Sequence, residues 1–219
     1  MATKDEILTR LLKEENYVSG EELARQTGVS RAAVWKAIKS LKKSGYDIEG
    51  VTKCGYKLKH NNSLVTAEGV KALLEKDIEV THFDTIDSTN TYCKRLLADG
   101  KQGEFLVTAA KQTAGRGRQG KSFYSPSETG IYFSLVIRPD TSLQNAVTAT
   151  TAAAVAVCKA IEKTTDLKPK IKWVNDVYLN GKKVCGILTE ATTDFESGTV
   201  DSVIIGIGIN ISTTKFPSD

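Results

Sequence analysis

The chain has 219 residues, a formal net charge of +4 and 40% hydrophobic residues, enough material for one large domain or two modest ones. Its longest apolar stretch, Ala152 to Cys158, falls far short of the ~18 residues of a membrane span. MATKDEILTRLLKEENYV carries acidic residues where a secretory leader has an apolar run, so no membrane association and a cytoplasmic location are expected. Four cysteines without a C-x-x-C pair and only two histidines predict free thiols and exclude a zinc-type cluster, so a divalent metal enters only with a nucleotide.

The excess base is local. Residues 1–60 hold twelve Lys and Arg against eight Asp and Glu, while the rest of the chain holds eighteen of each. A first helix is predicted from Lys4 to about Lys13 on the stripe Ile7, Leu8, Leu11 and Leu12. Ser19 opens a second, to Gln26, with Glu22 at the capping-box position. TGVS then makes a tight turn around Gly28. Ser30 caps a third helix, RAAVWKAIKSLKK, ended by Gly45 and buried through Val34, Ala37, Ile38 and Leu41.

Two helices about a glycine turn, the second one basic, followed by the hairpin pattern YDIEGVTKCGYKL, predict a winged helix-turn-helix over residues 1–62. Lys36 and Lys39 suit phosphates. Ser30, Arg31, Ala32 and Trp35, near the helix start, suit base edges. Two other readings stay open: lysines that are only a solvated face on a three-helix cap, and Trp35 as a core or interface aromatic.

HNNSLVT (60–66) reads as a linker, and residues 63–219 as a second domain. A helix over TAEGVKALLEK precedes a strand over IEVTHFDTI. Ser88 or Thr89 then caps a helix over 90–98. Strands follow at 104–110 and 131–139, the second ended by Pro139, then an alanine-rich helix from Gln144 to about Lys163. KIKW and VYL are short strands, Asn180-Gly181 a hairpin turn, and VCGILTEAT and VDSVIIGIGINIS two β-rich runs. Hairpins outnumber β–α alternations, which predicts an α+β fold with a mixed or antiparallel sheet backed by helices.

KQTAGRGRQG (111–120) contains G-x-G-x-x-G at Gly115, Gly117 and Gly120. A dinucleotide turn needs a helix starting on those glycines. KSFYSPSETG follows instead, with Pro126 and Gly130, so the motif is a decoy. The Arg–Gly alternation lasts four residues, too short for an RNA-binding tract. What remains is a glycine-rich loop between strands that delivers Arg116 and Arg118, suited to an anion and of a kind that orders on its ligand. A plain flexible loop is the alternative.

KQTAGRGRQG, KWVNDVYLNGKKVCGILTEA and IIGIGINI, in this order behind DSTN, resemble the biotin protein ligases. The basic helix-turn-helix in front is similar to that of the bifunctional subgroup, in which the ligase also represses the genes of biotin synthesis. The resemblance implies a catalytic domain like that of class II aminoacyl-tRNA synthetases. It implies activation of biotin by ATP and Mg2+ to biotinyl-5′-AMP, then transfer to a lysine of a biotin carboxyl carrier domain. Operator DNA and a homodimer promoted by the adenylate are the other implied partners.

Residue by residue, the resemblance makes Lys183 the bridge between the biotin carboxylate and the α-phosphate. Arg116 and Arg118 cover the acyl-phosphate. Ser88, Thr89, Asn90 and Gln112 surround the ureido ring, and Gly115, Gly186 and Gly206 leave room for the bicycle and its chain. Phe123, where relatives have tryptophan, faces adenine. Lys172, Asn175, Asp176 and Asn210 serve the nucleotide, with Asp176 near Mg2+. Ser88 and Thr89 as helix caps, and Asp176 as an orienting partner of Lys183 or Lys172, stand beside those roles.

Val174 replaces the proline of the family's K-W-P-N-D. The resemblance implies, past FPSD, further catalytic-domain structure and an SH3-like C-terminal domain that serves nucleotide and carrier recognition, and a chain read only to Asp219 is expected to lack them. A regulator that binds biotin or its adenylate without efficient transfer is therefore the second reading. A lipoate-type ligase is the third.

Overall fold

The computed structural model describes residues 3–59, 65–139, 143–193 and 200–217. The chain divides into two compact units, Met1–Asp77 and Ile78–Asp219.

The first unit contains α1 (Thr3–Lys13), α2 (Gly20–Thr27), α3 (Arg31–Lys43), the hairpin β1 (Ile48–Val51) and β2 (Gly55–Leu58), and α4 (Ala67–Leu73). Ser19 and Ser30 cap as expected, their hydroxyls accepting the N–H of Glu22 and of Ala33. The capping box is only half formed, because the Glu22 carboxylate turns to Arg25 and Gln26. Gly28 ends α2 at φ 67°, a left-handed conformation that glycine adopts without a Cβ penalty. Ile7, Leu8, Leu11, Leu23, Val34, Ile38 and Leu41 close the core, and Leu12 is packed at its edge. Val18 exchanges two backbone hydrogen bonds with Tyr56, adding a third extended segment to the wing.

The sequence draws the domain boundary at residue 62, yet α4 packs with the helices before it. Thr66 caps α4 and meets the Tyr46 hydroxyl, and Lys4 lies 3.2 Å from Glu68. The division between the units therefore falls after Asp77. Of the expected linker, residues 60–64 lie outside the described residues.

The second unit is a seven-stranded mixed sheet in the order β3-β4-β5-β9-β8-β7-β6. Its strands are β3 (Glu79–Phe83), β4 (Phe105–Ala109), β5 (Gly130–Ile137), β6 (Lys170–Lys172), β7 (Asp176–Leu179), β8 (Lys182–Thr193) and β9 (Val200–Asn210). Only β3 and β4 run parallel. The Asn180-Gly181 turn joins β7 to β8 with both residues at positive φ, the form such hairpins need.

Among the described residues of this unit, the helices α5 (Thr89–Ala98) and α6 (Leu143–Thr164) take opposite faces of the sheet. Side chains alternate faces along a strand, so Val203 and Ile205 of β9 pack with Ala154 and Val157 of α6. Ile204 instead packs with Cys93 of α5 and with Phe105, Val107 and Val136. Register carries that second face across three strands, in rows Val136–Ile204–Glu190, Ser134–Gly206–Leu188 and Tyr132–Gly208–Gly186. The first row is largely filled. The next two are opened by glycine.

Ile204 is fully buried, and its replacement by alanine removes methyl groups the packed layer cannot recover. Ile204→Ala is expected to lower the unfolding free energy of the second unit by about 2–5 kcal/mol, read by denaturant titration with a probe confined to that unit.

Candidate active site

The α5 face of the sheet carries a cleft lined, among others, by Ser88, Thr89, Gln112, Arg118, Lys183 and Gly208. Its lining includes three basic side chains, Arg116, Arg118 and Lys183, and no carboxylate. Two polar ends can be separated along it.

The neutral end is built from the start of α5. Ser88 caps the helix, accepting the Thr91 N–H at 3.4 Å. The turn before it is braced by Asp87, which receives the Arg95 guanidinium at 2.6 and 3.0 Å. That pairing, with the opposing cost of burial, holds the Asp87 carboxyl below its usual range. Thr89 donates its N–H to Gln112 Oε1 at 2.9 Å.

Ser134 Oγ lies 2.7 Å from Thr89 Oγ1 and 2.6 Å from Asn90 Oδ1. One hydroxyl proton cannot serve both. The Asn90 oxygen is an acceptor only, and Thr89 Oγ1 also lies 3.2 Å from the equally acceptor-only Gln112 Oε1, so two hydroxyl protons are shared among three contacts. Gln112 Nε2 gives one hydrogen to Ser125 Oγ at 2.9 Å, and Ser125 donates to the Phe123 carbonyl at 2.9 Å. A glutamine amide has two hydrogens, so Gln112 keeps a donor for a ligand. The Ser88 O–H is a second.

The cationic end is built from the loop and the β7–β8 hairpin. The loop 111–123 is itself a hairpin: Phe123 N–H donates to the Gly115 carbonyl at 2.8 Å and Gly117 N–H to Lys121 at 2.7 Å, with a 3-10 turn at Arg118–Gly120. Arg118 donates to Asn175 Oδ1 at 2.9 Å. Lys183 Nζ sits 2.8 Å from Asp176 Oδ1, which also accepts from Asn175 Nδ2 at 3.2 Å. Arg116 turns to Glu190, bidentate at 3.2 and 3.1 Å. Two cations thus face carboxylates, and Arg118 faces a neutral amide.

Several expected roles shift. The room that the glycines leave is partly taken by neighbouring side chains. A Cβ at Gly206 would meet the Asn90 amide, one at Gly208 the Phe123 ring, and one at Gly115 the Phe123 carbonyl. At Gly186 it would lie 3.1 Å from the Phe123 ring and 3.3 Å from Lys183. Asn90 spends both amide hydrogens on Leu188 and Glu190, so it braces the floor. Phe123 lies over the glycine wall, edge-on to Tyr132. Lys172 is exposed with its ammonium over the Tyr178 ring, outside the cleft lining. Asn210, also outside the lining, keeps a buried Oδ1 without a hydrogen-bond partner. Asp176 engages Lys183, as the orienting alternative expects. The Trp173–Val174 peptide is cis.

Ser134, Ser125, Lys94 and Glu190 escape the sequence reading. The signals are faint but physical: Ser134 is a lone hydroxyl in the apolar strand IYFSLVI, and Lys94 stands one turn after Asn90 on the same helix face. Glu190 interrupts the β-rich GILTEA.

In the first unit, Arg31, Ala32, Lys36 and Lys39 are exposed along α3. Trp35 is 54% exposed beneath the Lys39 ammonium, which excludes the core reading. Arg31, Ala32 and Trp35 face the wing residues Val51 to Lys53 across a shared groove. Ser30, with its hydroxyl on the Ala33 N–H, acts as the cap.

These features define a class: a winged helix-turn-helix unit carried in one chain with an α+β unit that presents a cationic cleft. The model of the biotin/lipoate A/B protein ligase family matches residues 82–210, and the chain belongs to that family. A helix-turn-helix domain model matches residues 3–57.

Among curated proteins, the chain is 39% identical over 208 residues to the bifunctional ligase/repressor BirA of Bacillus spizizenii, covering 93% of this chain and 63% of that protein. It is 33% identical over 205 residues to the bifunctional ligase/repressor BirA of Escherichia coli, covering 94% and 63%. The chain therefore spans less than two thirds of these relatives. Among solved structures, the biotin protein ligase of Aquifex aeolicus in complex with biotin and ATP aligns with a TM-score of 0.52 at 31% identity, over 63% of this chain and 54% of that one.

Glu190 yields a pH prediction. Burial raises its pKa, but hydrogen bonds from Lys94 and Asn90 and the charges of Lys94 and Arg116 outweigh that, and its folded value lies below the ordinary 4.5. A depressed carboxyl stabilises the fold fully above the unfolded pKa, and that contribution disappears as pH falls through the folded one. The melting-temperature gap between wild type and Glu190→Gln is expected to be constant above pH 5 and to shrink below 4.5. Thermal melts across pH 3–7 check it.

Proposed function

We propose that the chain activates biotin with ATP to biotinyl-5′-AMP and transfers the biotinyl group to a lysine of a biotin carboxyl carrier domain. The observation that carries this reading is the meeting, in one cleft, of neutral donors at Ser88 and Gln112 with the cations Lys183 and Arg118. A cyclic urea with a carboxylate tail matches that polarity from end to end.

The biotin carboxylate is already an anion at neutral pH and needs no general base. A carboxylate oxygen attacks the α-phosphorus, the bond to the bridging β-phosphate oxygen breaks, and pyrophosphate leaves. The barrier is the approach of an anion to a polyanion, so positioning and charge compensation carry the rate. Lys183, held at 2.8 Å by Asp176, is poised to exchange that carboxylate for the reacting anions. Arg118, on a neutral amide, has the least compensated charge. In the second step the carrier amine attacks the acyl carbon, the acyl–oxygen bond breaks and AMP leaves with the electron pair.

Among the described residues no group of three or more His, Cys, Asp and Glu could hold a metal. Mg2+ on this reading arrives with the triphosphate, with Asp176 beside it. The first unit, through α3 and its wing, supports binding to operator DNA. Adenylate occupancy would promote pairing of two chains on a two-fold site and so repress biotin genes. No helix among the described residues is long and apolar enough to cross a membrane.

The test is incubation with biotin, MgATP and a carrier domain, reading carrier mass and protein-bound adenylate together. Bound adenylate in the wild type, reduced about 10²–10³-fold in rate by Lys183→Met, is the expected result. Adenylate without carrier modification would leave a ligand-responsive regulator, and neither product would overturn the reading.

A further inference from the structure

Glu190 takes no part in the reaction proposed above, yet four hydrogen bonds and ion pairs converge on it. Lys94 Nζ approaches Oε1 at 2.7 Å, Asn90 Nδ2 donates to Oε2 at 3.1 Å, and the Arg116 fork reaches both oxygens at 3.1 and 3.2 Å. We propose that Glu190 is a positioning residue that latches the loop 111–123 over the cleft by receiving Arg116.

Ion pairs on an open surface contribute little, and three features set this one apart. The Glu190 side chain is only 18% exposed, the contact is bidentate, the geometry that makes arginine–carboxylate pairs strong, and the carboxylate is fixed from behind by Asn90. That last contact joins the latch to the neutral end, because Asn90 Oδ1 meets Ser134, Ser134 meets Thr89 and Thr89 meets Gln112. Gln112 stands at the base of the same loop. The loop is thus tied at its base through Gln112 and along its first arm through Arg116, to a chain of polar groups centred on the buried Asn90, Ser134 and Thr89.

Lys94 explains why such a latch can open. A buried carboxylate stripped of its only cation is strongly destabilising. Here Lys94 keeps Glu190 compensated when Arg116 swings away, so the loop can release without leaving a bare charge. Resting on the ligase reading, this device would let the cleft admit its ligands and then retain a hydrolysable acyl-adenylate behind the closed loop.

The test is hydrogen exchange of the 111–123 peptide in the intact chain, without ligand and with biotin, for wild type, Glu190→Gln, Arg116→Gln and the double variant. Glu190→Gln is expected to speed loop exchange about tenfold, and the double variant to exchange no faster than Arg116→Gln alone. Glu190→Asp, which keeps the charge but draws back one methylene, should fall between and keeps the cycle readable if Glu190→Gln does not fold. Lys94→Met should leave loop exchange within about twofold of wild type. Loop exchange unchanged in the Glu190 variants under both conditions, or effects of the two single changes that add, would overturn the latch. The ligand-free arm needs no substrate, so a failed latch leaves the ligase reading standing, and absent adenylate leaves the latch standing.

Discussion

The cleft depends on a stretch of β9 that presents hydrogens where a sheet normally presents side chains. At Gly206 and Gly208 the α5 face carries no side chain of β9, and the neighbouring strand β8 continues that gap beside Gly208 through Gly186. Asn90 and Phe123 fill part of the space from outside the sheet, one from the helix and one from the end of the loop. Glycine here serves close approach rather than a special turn. A methyl group at Gly206 or Gly208 would displace the side chain that anchors α5 or the one that seats the loop.

Around that gap, charge is arranged in a consistent way. The lining holds cations and no carboxylate, and the compensating acids, Asp176 and Glu190, stand just behind it. Lys183 and Arg116 can therefore each trade a protein carboxylate for a ligand anion without first being stripped to a bare charge. Burial makes those exchanges stronger than they would be in water. On the other face of the sheet, burial pushes the Cys185 thiol up to about 12, which leaves it a neutral packing group against α6.

Local signals made most of this architecture legible. The caps at Ser19, Ser30 and Ser88, the buried faces of α1 and α3 and the Asn180-Gly181 hairpin all follow from short-range physics, and all are where the residues predict. Lys183, Arg118 and Gln112 converge because they sit on motif-bearing turns. What sequence could not reveal is long-range: Glu190 meets Lys94 across 96 positions and Arg116 across 74, pairings set by β8 register alone. For the same reason sequence does not show that Asn90 takes up the space beside Gly206. The room a glycine leaves can be seen in sequence, but not which side chain fills it. The late domain boundary has a similar origin, since α4 is claimed by contacts from Lys4 and Tyr46.

The central claim is that one cleft reads a neutral cyclic head at Ser88, Thr89 and Gln112 and an anionic junction at Lys183 and Arg118. A crystal structure of the chain with a non-hydrolysable biotinyl-adenylate analogue, its phosphate replaced by sulfamate, tests this most directly. The ureido head is expected within hydrogen-bond distance of Ser88 and Gln112, and the sulfamoyl group within reach of Lys183 and Arg118. An analogue bound in the reverse sense, or away from the glycine wall of β9, would contradict it.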